Sequence, residues 1–230
     1  AAAAEADADR LVLADVRRAA DHRSRLVRHH AVAAGEDLQR AHRVELRRQP
    51  DKVKAACDRL WETYNLPKLQ GTPAPFPYAC HMTHIAPYLS PKQFYELYWP
   101  YEKFWIERAA AAGTKVWIML EGRWENVWEC FKEVPKDSCI LHIDDDDIIK
   151  AKEVLGDYQI IEGGLKMASV RTDSPEKIKD DVKKIIDACQ PGDGFLFCTD
   201  KAWIAPGDVN QNLIDAYNFA HEYSLSRTQK

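Results

Sequence analysis

No stretch of the chain approaches the roughly 20 consecutive apolar residues that a membrane-spanning helix needs, and no charged start is followed by a continuous apolar run. A membrane role is therefore not expected, and the expected location is the cytoplasm. Dense Lys/Arg blocks are also missing beyond the N-terminal region. With a formal net charge of −4, nothing resembles the footprint of a phosphate backbone, which argues against nucleic acid as a partner. Cysteine is sparse: residues 57, 80, 130, 139, 189 and 198 are scattered, without a CxxC pair. That spacing excludes a disulfide framework and predicts reduced thiols, mostly packed in a core.

The first 49 residues lack Lys, Ile, Pro, Asn and every aromatic, and all their basic side chains but the histidines are Arg, whereas Lys prevails from Lys52 onward. Two compositional regimes meet near residue 50. Residues 1–49 are rich in Ala, Leu, Arg and Glu, with Leu11, Val12, Val16, Ala19 and Ala20 roughly on helical spacing, so one or two surface helices are expected. An appended stretch without a functional site is the equal alternative. The Arg and His residues here, His29 and His30 included, fit a solvated face better than a binding surface.

From residue 50 to 230 the pattern becomes rhythmic. Pro50 and the apolar positions Val53, Ala56, Leu60 and Trp61 predict a helix over Asp51–Tyr64, followed by a proline-rich connection over Pro67–Pro77. A short apolar run ends at Cys80, leaving His81 and His84 in a loop. Ser90-Pro91 opens one long helix to Gly113, and strand Lys115–Leu120 ends at Glu121-Gly122. Helix Trp124–Phe131, strand Ser138–Ile143 and helix Asp147–Leu155 follow. Strand Tyr158–Ile161 ends at Glu162-Gly163-Gly164, helix Ser174–Gln190 stops before Pro191-Gly192, and strand Gly194–Cys198 precedes helix Asn210–Glu222. Short apolar strands alternating with amphipathic helices imply an α/β protein with parallel pairing, either a doubly wound sheet or an eight-stranded barrel. No GxGxxG follows a strand, so the dinucleotide-binding variant loses its usual support.

Ordered short signals then narrow the choice. Leu-Ser-Pro-Lys-Gln-Phe-Tyr-Glu-Leu at 89–97, Ala-Ala-Gly-Thr-Lys-Val at 111–116 and Ala-Lys-Glu-Val-Leu-Gly-Asp at 151–157 are three of them. Ile-Ile-Glu-Gly-Gly-Leu at 160–165, Ser-Pro-Glu-Lys-Ile-Lys-Asp-Asp-Val at 174–182 and Gly-Asp-Gly-Phe-Leu-Phe at 192–197 continue the order. Together they resemble the C-terminal part of the uroporphyrinogen decarboxylase and corrinoid-dependent methyltransferase superfamily. The resemblance implies a (β/α)8, TIM-barrel-like fold represented here by its last five βα units. Two open sheet edges would then need a second chain or another segment to cover them.

In such barrels the chemistry sits at the C-terminal ends of the strands, which makes His81, His84, Glu121, His142, Asp144, Glu162 and Cys198 the candidates. The methyltransferases of the superfamily hold zinc with a His-x-Cys pair on one strand and a Cys on a later one. The pair aligns here with Met119-Leu120-Glu121, and Cys198 stands near the later cysteine. The expected zinc ligands are Glu121, His142 and Cys198, since carboxylate, imidazole and thiolate all suit zinc and three protein ligands leave a position open. Asp144 is expected to orient His142, and Glu121, His142 and Asp144 form the expected catalytic set. His81, His84 and the Gly163-Gly164 turn are the expected contacts to a corrinoid.

Each of these has a plainer reading. Cys198 can be a small residue ending a strand, His142 can satisfy a rim carbonyl, and Asp144–Asp147 can simply favour a helix start. His81 and His84 can be rim loop residues. The aromatic run from Phe94 to Trp105 reads as core or interface, and Trp117 and Met119 share parity with Glu121 and should line the barrel interior. Three functions stay open: transfer of a methyl group between a corrinoid and a small nucleophile, with a corrinoid protein as partner; decarboxylation of a porphyrinogen; and a non-catalytic binding subunit. Decarboxylation is disfavoured because Arg59, Arg108, Arg123, Arg171 and Arg227 are the arginines of residues 50–230, and only Arg123 falls near the expected mouth.

Overall fold

The computed structural model describes residues 46–65 and 78–228, and the expectations for residues 1–45 and for the Pro67–Pro77 connection fall outside them. The chain divides into two compact units, residues 1–63 and 64–230. In the first, helix α1 (Pro50–Leu60) starts with Pro50 in its first turn, carries Asp51 there and Arg59 in its last turn, both favourable to the helix dipole. None of its side chains is fully buried.

The second unit is built on five parallel strands, β1 (Tyr78–Thr83), β2 (Lys115–Leu120), β3 (Cys139–Ile143), β4 (Ile160–Leu165) and β5 (Phe195–Thr199), hydrogen-bonded in sequence order. Between them run α2 (Pro91–Leu97), α3 (Trp99–Ala111), a 3₁₀ helix (Glu125–Lys132), α4 (Ile148–Leu155), α5 (Met167–Thr172) and α6 (Pro175–Cys189), and α7 (Gln211–Thr228) closes the chain. This α/β arrangement is a partial TIM barrel of five βα units. Among the described residues β1 and β5 each keep one side unpaired.

Strand parity divides the sheet into two faces. Val116, Ile118 and Leu120 of β2, Cys139, Leu141 and Ile143 of β3 and Ile161 of β4 pack into the main core with Phe94, Trp99 and Ile106 of the helices. The opposite face carries Met82, Met119, His142, Glu162 and Leu196 in one register row. Met119 and His142 in the middle are buried, while Met82 and Leu196 at the ends are exposed.

Four local expectations change. The single long helix from Ser90 is two: Pro100 has no N–H to give the carbonyl of Glu96, and α2 gives way to α3 around Tyr98. Ser90 does cap α2, in a reciprocal arrangement with Gln93. The first strand extends past Cys80 to Thr83, so His81 lies within it. The Gly163-Gly164 pair is no turn but the middle of β4, which begins and ends later than its apolar run suggests. Parallel pairing holds these glycines on both sides, Gly163 with Ile143 and Phe197 and Gly164 with Cys198. The loop after β4 contains the short α5, started by Asp200, whose Oδ1 accepts the Met167 N–H at 2.9 Å.

Candidate functional site

The register that pairs Met119 with His142 and His142 with Glu162 sets the imidazole and the carboxylate side by side on β3 and β4. Cys198 is two residues past Leu196, the partner of Glu162, so its side chain returns to the same face one step nearer the strand ends. Ligand atoms of His142, Glu162 and Cys198 all lie within 4.8 Å of one another. No other residue spacing in the chain creates this meeting; three adjacent parallel strands do.

Each member has an outer partner. His142 Nε2 stands 3.1 Å from the main-chain carbonyl of Asp200, and since a carbonyl can only accept, Nε2 carries the proton. Nδ1 faces Glu162 Oε2 at 3.4 Å, at the long end for a hydrogen bond, and is buried with no other partner. Burial pulls the His142 pKa down, but the Glu162 carboxylate, the Asp200 carbonyl and the Asp144 carboxylate together push harder, so it lies above the usual histidine value. The indole Nε1–H of Trp117 donates to Glu162 Oε2. The Tyr217 hydroxyl of α7 donates to Cys198 Sγ at 3.5 Å. Burial first, and then the Cys198 contact, raise the Tyr217 pKa well above the ordinary phenol range, so the hydroxyl keeps its proton.

The remaining candidates are dispersed, each for a definite reason. Glu121 lies beyond the end of β2, half-exposed, and pairs with the exposed His84 instead of joining the ligand group. Its place beside His142 is taken by Glu162. Asp144 does not orient the imidazole by a hydrogen bond: its Oδ2 accepts the Gly122 N–H at 2.9 Å and its carboxylate pairs with Lys201. Asp146 likewise accepts the Trp124 N–H at 2.6 Å, and Asp147 caps α4 through Ile149 and Lys150. The four-carboxylate run thus ties the loop after β2 to the loop after β3, with only Asp147 acting as a cap. Lys201 also pairs with Asp145 at 2.7 Å, and Lys166 with Asp200 at 3.3 Å, so the acidic rim is largely neutralised.

His81 points to the helix side of the sheet, where Nδ1 meets Glu102 of α3 at 2.7 Å and the ring packs edge-on against Trp105. A Cβ on Gly163 would stand 3.0 Å from the Ile143 carbonyl, and one on Gly164 3.0 Å from Ile185 Cγ2. Both glycines permit close packing of the strand against β3 and α6. Of the four expected corrinoid contacts only His84 stands at the rim. Trp117 does lie on the site's face as its parity predicts, and Phe94 and Trp99 of the aromatic run are core.

Asp200, Lys201, Lys166 and Tyr217 escape a reading of the sequence alone. Asp200 had a signal, two residues beyond Cys198 on the strand that carries it. Tyr217 had none, because it reaches the site from a helix.

A parallel sheet with polar groups gathered at the C-terminal ends of consecutive strands places the chain among barrel-type α/β proteins that carry their chemistry at that rim. Within that class the chain belongs to the uroporphyrinogen decarboxylase family: the family model, Uroporphyrinogen decarboxylase (URO-D), matches residues 39–200. Among solved structures, a methyltransferase from Methanosarcina mazei is similar at 16% identity with a TM-score of 0.47, over 63% of this chain and 41% of that one. The chain therefore spans well under half the length of that protein. No curated protein matches.

Proposed function

We propose that His142, Glu162 and Cys198 hold a divalent metal, zinc by the chemistry of the donors, and that the chain is a methyltransferase-type enzyme or subunit acting on a small nucleophile such as a thiol. One observation supports this above the others. The buried His142, held at Nε2 by the Asp200 carbonyl, turns Nδ1 toward a carboxylate and a thiol and gives it no other partner. In the metal-free site a proton on Nδ1 can bridge to the carboxylate, as the raised pKa indicates, and a divalent cation in its place would bridge the same imidazole and carboxylate. Imidazole, carboxylate and thiolate are an acceptable zinc set with a fourth position open to a substrate.

Asp144, two residues after His142, is engaged by Lys201, and Glu162 serves from the next strand. Bound zinc would lower the pKa of a thiol so that it reacts as thiolate. The chain's own residues fix the ligands: Asp200 orients His142, Trp117 orients Glu162, and Tyr217 holds Cys198. A corrinoid is the methyl carrier that the family kinship suggests. Of the residues expected to contact it, His84 is the one exposed at the rim, which suits a corrinoid presented by a carrier protein. The free sides of β1 and β5 suit completion of the barrel by a second chain or by residues outside those described.

Metal analysis of protein purified without chelator tests the reading. About one zinc per chain is expected, with none in His142→Ala; a zinc-free wild type that takes up none on addition overturns it. Decarboxylation of a tetrapyrrole is the second reading, favoured by the name of the matching family. Among the described residues Arg123 is the arginine whose charge acts on the rim acid Asp145, a poor match for a highly anionic substrate. Conversion of uroporphyrinogen by the purified protein would establish it. A non-catalytic binding role would be favoured by unchanged activity of the parent assembly when His142, Glu162 and Cys198 are all replaced.

A further inference from the structure

The metal reading creates a chemical problem inside the site. A methyl donor brought to a substrate thiol at this site would also meet Cys198, which sits within 4.8 Å of the other ligands and is only half-buried. Attack by Cys198 would form an S–CH₃ bond, break the bond between methyl and its carrier, and leave the electron pair with the carrier. The product is a thioether, a neutral and weak ligand, and the site would be lost. Burial alone does not protect this cysteine as it protects Cys130 and Cys139, whose side chains are wholly enclosed.

The Tyr217 hydroxyl, 3.5 Å from Cys198 Sγ, is placed to solve it. The phenol is held by packing on both sides: its ring meets Phe197 edge-on at 5.6 Å and Trp203 edge-on at 6.1 Å. Trp203 is in turn fixed by its indole N–H to Thr199 Oγ1 at 3.0 Å. A hydrogen bond donated to a thiolate draws electron density from sulfur and lowers its nucleophilicity, while leaving lone pairs for a metal. Tyr217 lies beyond residues 39–200, so the family match does not extend to it.

The geometry points to Tyr217 as the positioning residue that keeps Cys198 a metal ligand and prevents it from becoming a methyl acceptor. This rests on the metal assignment above. The test treats zinc-loaded full-length protein with methyl iodide and follows S-methylation of Cys198 by mass spectrometry, together with zinc release to a coloured chelator. Exposed Cys80 serves as an internal standard for the reagent. In Tyr217→Phe, methylation of Cys198 and zinc release are expected to be faster by about fivefold, what one hydrogen bond is worth, with Cys80 unchanged. Site-specific 3-fluorotyrosine at 217, a stronger donor of nearly the same shape, should slow both, and it decides the matter if Tyr217→Phe loses its fold. A wild type that binds zinc while both variants react at its rate overturns the role of Tyr217 alone. A wild type that binds no zinc overturns the metal assignment and this proposal with it.

Discussion

The indole N–H of Trp117 on β2 donates to the carboxylate of Glu162 on β4, reaching across β3 to hold the oxygen that faces His142 Nδ1. Trp117 also lies against the His142 ring, with centroids 5.5 Å apart. The imidazole and the carboxylate are thus set by one side chain on a third strand.

Replacing Trp117 by Phe keeps the aromatic packing and removes the donor. Because outer partners of metal ligands are worth about 10–100-fold in affinity, zinc binding should weaken by that amount, read by competition with a chelator of known affinity. Unchanged affinity would mean that Glu162 is not a ligand.

The His81–Glu102 pair should make stability depend on pH. Burial lowers the His81 pKa, but the hydrogen bond and charge of Glu102 outweigh it, so the folded value lies above the ordinary one. The protonated form is therefore favoured by folding. Its contribution is complete below the unfolded value of about 6.5 and disappears as pH rises through the raised folded value. Urea midpoints across this range should fall with rising pH in the wild type and fall less in His81→Asn. Since the His81 side chain is 38% exposed, solvent screening keeps the effect modest.

Gly163 has φ +128°, and a Cβ there would press on the Ile143 carbonyl at 3.0 Å. Backbone cannot move aside as a flexible side chain can. Gly163→Ala should destabilise the protein by about 1–3 kcal/mol, visible as a lower denaturation midpoint, and should leave the alkylation rate of exposed Cys80 in the folded state unchanged.

Gln159 is fully buried, and its amide accepts the Cys139 N–H while donating to the carbonyls of Phe131 and Pro135 at 2.9 and 3.1 Å. Gln159→Leu conserves bulk and strands three main-chain groups. A loss of roughly 3 kcal/mol is expected by urea denaturation, since each unsatisfied buried group costs about 1–3 kcal/mol when solvent cannot reach it.

Much of the fold is legible in the residues because its signals are local. Apolar runs at β2 and β3, Ser-Pro at the starts of α2 and α6, and the Pro-Gly break before β5 each act over a few neighbouring residues. The candidates His142, Glu162 and Cys198 follow from position near strand ends. Their grouping does not. Glu121 and Glu162 look equivalent along the chain, each followed by glycine, but Glu121 lies past the end of β2 whereas Glu162 lies inside β4 in register with His142. His81, expected in a loop, is misplaced for a related reason. Extending β1 by three residues turns its side chain to the helices, and period two allows no intermediate orientation.

The sequence by itself determined the alternation of strands and helices, the absence of a membrane-length apolar segment and the family pattern, because these depend on composition and short-range periodicity. Tertiary structure alone decided which carboxylate meets His142, which nitrogen of that imidazole faces it, and that a tyrosine 19 residues after Cys198 reaches its sulfur. The physical reason is that parallel register and helix docking are set by pairing and packing between segments distant along the chain. No spacing within one segment encodes them.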